Sequence, residues 1–95
     1  MPRYVSLLKL TEQGVQAIKK STARAHDFNA VAAKAGVKVE AEYWTVGRFD
    51  GVLILSGPNE QSVLRVLAEL ASLGNVRTQT LQAFTDQEFD AIVGR

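Results

Sequence analysis

The residues best suited to chemistry in this chain lie in one stretch, YWTVGRFDG, from Tyr43 to Gly51. Trp44 and Phe49 offer aromatic walls and Asp50 a carboxylate, and binding sites combine apolar walls with a few polar groups. The same residues also suit a hairpin, since Gly47 tolerates a positive φ and Asp50 accepts backbone N–H bonds in a turn. A ligand contact and a hairpin turn therefore both remain open interpretations of this stretch.

Two arginines and the single histidine complete the set of candidate residues. Arg48 and Arg77 are the cations expected nearest to the aromatic residues, where each could receive an anion or a carboxylate across an interface. His26 is the obvious general base near neutral pH, with Asp50 as a second candidate. One histidine forms no two-histidine metal site, so we predict neither metal nor cofactor. The predicted ligand contacts are Trp44, Gly47, Arg48, Phe49, Asp50 and Arg77.

Composition narrows the class of protein. A chain of 95 residues makes one domain, and a net charge of +1 without blocks of like charge argues against a nucleic-acid partner. The lack of cysteine excludes disulfides, thiolate nucleophiles and thiolate metal sites. No apolar run approaches the ~20 residues of a membrane span, and the N-terminus lacks the layout of a signal peptide. We therefore expect a cytoplasmic protein without a membrane partner.

Hydrophobic periodicity predicts the elements that must position these residues. Apolar runs bounded by turn residues predict four strands, at residues 4–11, 37–46, 52–56 and 76–84. Helical spacing predicts helices near residues 12–20 and 21–35, or one bent helix over both, and a further helix that is capped by Asn59 and ends at Gly74. A short C-terminal helix is predicted to start from the cap Thr85, with Glu88 three residues on. The order βαββαβ plus a terminal helix is the ferredoxin-like plan. We predict an α+β fold over residues 1–95, with strands one and three in the centre of an antiparallel sheet.

The same patterns predict which side chains are buried. The first helical region has an apolar stripe formed by Val15, Ile18, Ala25, Phe28, Ala32 and Ala35. Alternation along the second strand places Val37, Val39, Ala41 and Tyr43 on one face, and Lys38, Glu40, Glu42 and Trp44 on the other.

The open face of the predicted sheet gives the first indication of function. Both central strands are apolar on both faces, for example Val52 and Ile54 against Leu53 and Leu55, yet the helices cover only one face. A large exposed apolar patch is unusual on a monomer, so we predict that a second copy of the chain covers it. Polar groups on this face, including Ser6, could leave a cavity between the copies. Trp44 would then be an interface anchor or a pocket wall.

With the elements placed, the chain resembles the GYD-domain family. Three segments carry the resemblance in order and spacing: YVSLLKLTEQGVQAIK, EAEYWTVGRFDGVLIL and LGNVRTQTLQAFTDQEF. The motif that names the family corresponds to Gly47, Phe49 and Asp50, with Phe49 where the family usually has tyrosine. The resemblance implies a dimeric α+β barrel and implies no activity.

A looser similarity concerns TVGRFDGVLIL and, one helix later, LGNVRTQT. These segments are similar to the effector-binding domain of the leucine-responsive (Lrp/AsnC) regulators, where the corresponding hairpin lies at a subunit interface and helps to bind small metabolites. The chain has no room for the DNA-binding helix-turn-helix of those regulators. The same superfamily includes cofactor-independent monooxygenases and muconolactone-isomerase-like enzymes, which are analogies of fold only.

Three functions compete at this point. The first is a homo-oligomer that binds a small molecule at or near its subunit interface. The second is a cofactor-independent enzyme with His26 or Asp50 as base. The third is a structural assembly module whose hairpin only shapes the interface.

Overall fold

The computed structural model describes residues 1–94, which form one sheet and its helices. The strands are β1 (Arg3–Leu10), β2 (Lys38–Trp44), β3 (Gly51–Ser56) and β4 (Val76–Ala83). The helices are α1 (Glu12–Gln16), α2 (Ser21–Lys34), α3 (Glu60–Ser72) and α4 (Asp86–Val93), and a 3-10 turn at Ile18–Lys20 joins α1 to α2.

The sheet has the order β2-β3-β1-β4, and all three neighbouring pairs are antiparallel. The two central strands are therefore β1 and β3, which confirms the predicted ferredoxin-like α+β fold. In the register of the sheet, Ser6 lies between Leu53 of β3 and Thr80 of β4.

The core lies between one face of the sheet and the helices α2 and α3. Leu55 of β3 and Val66 of α3 are completely buried, as is Ala32 of α2. Burying an aliphatic side chain of this size stabilises the fold by about 1.5–3 kcal/mol. The remaining buried apolar residues are Tyr4, Phe28, Val37, Leu53, Val63 and Leu67.

A β-bulge changes the predicted alternation of β2. Val39 lies opposite Leu55 and Ala41 opposite Ile54, so Glu40 is an extra residue between two consecutive partners of β3. The phase of the strand reverses there, because side chains alternate with a period of two. The prediction that Glu42 and Trp44 share a face with Glu40 is therefore wrong beyond the bulge: both lie on the side of the helices.

The apolar stripe predicted for residues 12–35 is only partly correct. Phe28 and Ala32 are buried, whereas Val15 and Ile18 are more than half exposed. The 3-10 turn between α1 and α2 explains the difference, since it advances by three residues per turn instead of 3.6 and breaks the helical phase. Apolar residues before and after this turn therefore do not lie on one common helix face.

Ser6 lies on the side of the sheet that faces the helices, not on the open face as predicted. It is fully buried, and its Oγ is 2.9 Å from the Oγ1 of Thr80 on the edge strand β4. A buried hydroxyl needs such a partner, because an unpaired polar group in the core costs free energy. The pair links β1 to β4 through side chains as well as backbone.

Candidate functional site

A cavity of about 430 Å³ lies between the sheet and the helices, where α2 begins and α3 ends. Leu8 and Leu53 form its floor, Phe28 lies on the α2 side and Leu70 on the α3 side. This volume is within the range of about 300–1,000 Å³ typical of small-molecule sites. The position differs from the predicted one, since the cavity lies on the helix side of the sheet and not on its open face.

Two consecutive helix-facing residues of β2, Glu42 and Trp44, line the cavity because of the bulge. Bulges are frequent beside binding sites, where they redirect side chains. Trp44 is 54% exposed and lines the cavity at the end of the edge strand, so one part of its ring faces the cavity and another part faces solvent.

Glu42 is held by α2 and has one free oxygen. The Nδ2 of Asn29 donates to its Oε1 at 3.2 Å. Its Oε2 is buried and has no hydrogen-bond partner among the described residues. A buried carboxylate oxygen without a donor is costly. Because a water-sized atom cannot touch Oε2 in this conformation, the carboxyl group must rotate to present this oxygen to a donor in the cavity that Glu42 lines.

Asp50 closes the cavity at the end of β1. Its Oδ2 accepts the backbone N–H of Leu10 at 2.8 Å, and its own N–H donates to the carbonyl oxygen of Leu8 at 2.7 Å. The carboxylate thus continues the pairing of β1 just before β3 begins. Through these two bonds, Asp50 holds the β2–β3 connection against β1.

The charged groups lining the cavity are mostly acidic. Its one cation, Arg24, donates to the carbonyl oxygen of Ala17 at 2.8 Å and lies 3.4 Å from the Oγ of Ser21. The guanidinium is thereby directed to the backbone and side chain of its own helical region. The carboxylates around the cavity are Asp27, Glu42, Asp50 and Glu69.

The opposite, open face of the sheet carries an apolar strip along its centre. Register places Val5 beside Ile54 and Leu81, and Leu7 beside Val52. Charged residues flank this strip, and the Nε of Arg3 lies 3.7 Å from the Oε1 of Glu40. The Ser56 hydroxyl and the Arg3 guanidinium hold the pKa of the Glu40 carboxyl below its ordinary value.

Comparison with known protein families assigns this chain to one of them. The model of the GYD domain matches residues 4–93. The chain belongs to the GYD-domain family.

Two relatives of this GYD-domain chain are informative. A Thermus thermophilus protein named glutamine synthetase and cystathionine beta-lyase binding protein is 33% identical over 84 residues, which are 87% of this chain and 88% of the relative. A crystal structure of a protein from Thermus thermophilus aligns with a TM-score of 0.59 over 90% of this chain and 95% of that chain. At 24% identity this second likeness supports the fold alone.

The residues that match the GYD motif lie in the loop between β2 and β3. Gly47 has a φ of +133°, which favours glycine, and it lies in open space. Thr45 closes the loop: its N–H donates to the carbonyl oxygen of Asp50 at 3.0 Å, and its Oγ1 to that of Phe49 at 2.6 Å. The motif therefore builds a compact connection, and of its three residues only Asp50 lines the cavity.

The structure brings together only part of the predicted ligand set. Trp44 and Asp50 line the cavity of the GYD domain, whereas Gly47, Arg48 and Phe49 do not. Arg77 is on β4, at the opposite edge of the sheet from Trp44, and register places it beside Lys9, on the open face. Arg77 therefore does not join Trp44 at the cavity. His26 is exposed on α2 and does not line the cavity.

Sequence reasoning missed Glu42 as a cavity residue. Its pattern, EAEYW, alternates without interruption, and nothing in it marks the extra residue of the bulge. The one available signal is Trp44 itself, because a large aromatic residue on the polar side of a strand is unusual.

Proposed function

We propose that this GYD-domain protein is a homo-oligomeric binding protein that takes a small molecule into the cavity between its sheet and its helices. The observation that carries the proposal is the cavity, which is lined by apolar side chains, Trp44 and Glu42; the Glu42 Oε2 has no hydrogen-bond partner among residues 1–94. Apolar pockets with a few convergent polar groups are the usual form of a small-molecule site.

Self-association is supported by the open face of the sheet. Val5, Leu7, Val52 and Ile54 form a continuous apolar strip there on the two central strands, and Leu81 beside them is 48% exposed. Antiparallel sheets that face water on one side normally alternate with polar residues on that side. A second copy of the chain, placed face to face, removes this strip from water.

The C-terminal helix supports the same conclusion. All residues from 84 to 93 are exposed, including Phe84, Phe89 and Ile92. Phe84 and Phe89 occupy the two positions of a hydrophobic staple around the cap Thr85, and α4 has a complete capping box. A well-capped helix whose apolar residues stay in water is typical of a segment that packs on another chain.

Charge favours a second copy as the partner of α4. The helix carries Asp86 and Asp90 besides Glu88, which already interacts with Arg3 of its own chain, whereas the open face carries Lys9 and Arg77. Complementary charge of this kind guides association and suppresses wrong partners.

The cavity and the open face meet at β2. Trp44 lines the cavity, and Tyr43 borders it as well; Tyr43 pairs with Val52 on the open side and is 60% exposed. A molecule bound beside Trp44 would therefore lie close to the interface between the copies. This arrangement supports the proposal of a ligand site near the interface.

We further propose that the oligomer binds other proteins in the cytoplasm. The support is the Thermus thermophilus relative, whose name describes binding to glutamine synthetase and cystathionine beta-lyase. None of the helices within residues 1–94 is long and apolar enough to cross a membrane. The protein partners of this chain must be identified by experiment on this chain, since a shared fold does not transfer function.

Catalysis receives less support than binding. Of the two candidate bases, His26 does not line the cavity, and Asp50 uses its Oδ2 for the Leu10 amide. A purely structural module receives less support as well, because such a module has no use for a cavity of this volume.

Native mass spectrometry of the protein, purified gently from its source cells, tests both parts of the proposal. We expect an oligomer that carries a stoichiometric extra mass. A matched pair of variants locates the interface: Leu7→Glu on the open face should give monomers, whereas Leu64→Glu on the exposed side of α3 should not. A monomeric native protein overturns the oligomer, and an oligomer without extra mass argues against a retained small molecule.

A further inference from the structure

We propose that the cavity selects an organic cation, namely a primary or secondary ammonium group on an apolar body, with Glu42 and Trp44 receiving the ammonium group. This inference rests on the proposed small-molecule function and names the class of ligand. It depends on four features of the cavity: its walls, its buried carboxylate, its aromatic edge and its charge.

The walls require an apolar body. Leucine residues from β1, from β3 and from the end of α3 line the cavity, together with Phe28 and Val31 of α2. Water in the cavity would form few hydrogen bonds with these apolar walls. An alkyl or aryl group would instead bury its own apolar surface and that of the walls. The volume of about 430 Å³ accommodates a group of this size.

The carboxylate requires a donor. Asn29 satisfies Oε1 of Glu42, and Oε2 stays buried without a partner among residues 1–94. Rotation of the carboxyl group would bring Oε2 to a donor in the cavity that Glu42 lines. An alcohol could donate one hydrogen bond to this oxygen, but an ammonium group supplies both the donor and the opposite charge. Hydrogen bonds between two charged groups are the stronger ones, so the carboxylate discriminates in favour of the ammonium.

Trp44 adds to the preference for a cation. It is two residues from Glu42 on the same strand, so both side chains point to the same side of β2 and both line the cavity. The face of an indole ring carries negative potential and attracts cations, more strongly where water is excluded. A carboxylate and an indole on one side therefore form a receptor for one ammonium group.

The remaining charges disfavour anionic ligands. Arg24 is the cation that lines the cavity, and it is already bonded to Ala17 and Ser21. Asp27, Asp50 and Glu69 surround the same space and repel an anion. A carboxylate or phosphate ligand would thus meet four carboxylates and a single guanidinium among the lining residues, which is a net negative environment.

Three probes of equal chain length test this selection: octylammonium, octanol and octanoate. Trp44 is the single tryptophan of the chain, so its fluorescence reports occupancy of the cavity directly. We expect octylammonium to bind about tenfold or more tightly than octanol, as for one charged hydrogen bond, and octanoate to bind more weakly than octanol. Rising salt should reduce the difference between the ammonium and the alcohol.

Glu42→Gln isolates the contribution of the carboxylate. We expect it to lower the affinity for octylammonium to that for octanol and to leave octanol binding unchanged, which also shows that the variant is folded. Glu12→Gln, the same change at an exposed position outside the cavity, should leave all three affinities unchanged.

Three results would overturn the inference. If octanoate binds most tightly, or if octylammonium and octanol bind equally, the cavity still binds small molecules and only the ligand class is wrong. If none of the probes changes the fluorescence, the cavity binds no small molecule and that part of the proposed function fails too. The subunit mass of the same samples tests self-association independently.

Discussion

The carboxylate of Asp50 accepts the backbone N–H of Leu10 at 2.8 Å and so acts as one more acceptor at the end of the β1–β3 ladder. β3 begins at Gly51, and the chain turns away at Asp50. The side chain supplies the acceptor that the turning backbone no longer offers. A motif residue of the GYD family thereby stabilises the mouth of the cavity.

Replacing Asp50 tests this role. Asp50→Ala leaves the Leu10 amide without its acceptor and should destabilise the fold by about 1–3 kcal/mol. Asp50→Asn keeps a carbonyl oxygen in the same position and should retain most of the stability. The unfolding midpoints in urea distinguish the two variants. Equal losses for alanine and asparagine would show that the charge matters, and not the hydrogen bond.

Gly14 is expected to tolerate no side chain. A Cβ at this position would lie 2.1 Å from the carbonyl oxygen of Asn75, which also accepts the N–H of Thr11 at 3.0 Å. Gly14→Ala must therefore displace the start of β4 from the end of β1, and we expect a loss of about 1–3 kcal/mol from this overpacking. Gln16→Ala, an exposed change in the same helix, is the control for thermal unfolding. A Gly14→Ala protein as stable as this control would contradict the contact.

Trp44→Ala separates the two roles considered for this residue. Because the ring lines the cavity on the helix side of the sheet, we expect the oligomer to remain intact while the affinity for octylammonium falls. Calorimetry measures the affinity, since the variant has no tryptophan to observe, and native mass spectrometry gives the subunit number. Loss of the oligomer with unchanged affinity would identify the ring as an interface anchor instead.

Acidification should weaken α4 before the rest of the fold. The Thr85 N–H donates to Oε1 of Glu88 at 2.7 Å, and this bond holds the pKa of the Glu88 carboxyl below its ordinary value. A lowered folded-state pKa stabilises the helix above the unfolded pKa of about 4.3, and this stabilisation is lost as the pH falls through the folded-state value. Cα chemical shifts of residues 86–93 should therefore move toward coil below about pH 4.3.

The Glu88→Gln variant provides the control for this titration. It should show a smaller pH dependence in α4, because the carboxyl that bonds to the Thr85 N–H is gone while Asp86 and Asp90 remain. Thr85→Ala removes the other half of the capping box and should cost about 1 kcal/mol of helix stability at neutral pH. Unchanged shifts in the native protein down to pH 3 would contradict a contribution from Glu88.

The element order and the element ends follow from local sequence. Asn59 accepts the N–H of Ser62, and Thr85 forms the capping box with Glu88, as the residue types at these positions predicted. Four apolar runs and the helices between them were sufficient for the ferredoxin-like plan with β1 and β3 in the centre. Such signals are readable because caps and periodicity involve residues only a few positions apart.

Which side chains meet in the cavity was decided by tertiary structure. The extra residue Glu40 has no signature in the alternating pattern of β2; it exists only in the pairing of β2 with β3, and it turns Glu42 and Trp44 toward the helices. The 3-10 turn after α1 likewise exposes Val15 and Ile18, although their spacing predicts burial. Sequence determined the elements of this protein, because their signals are local. The faces those elements present depend on register between distant strands, and only the folded sheet sets that register.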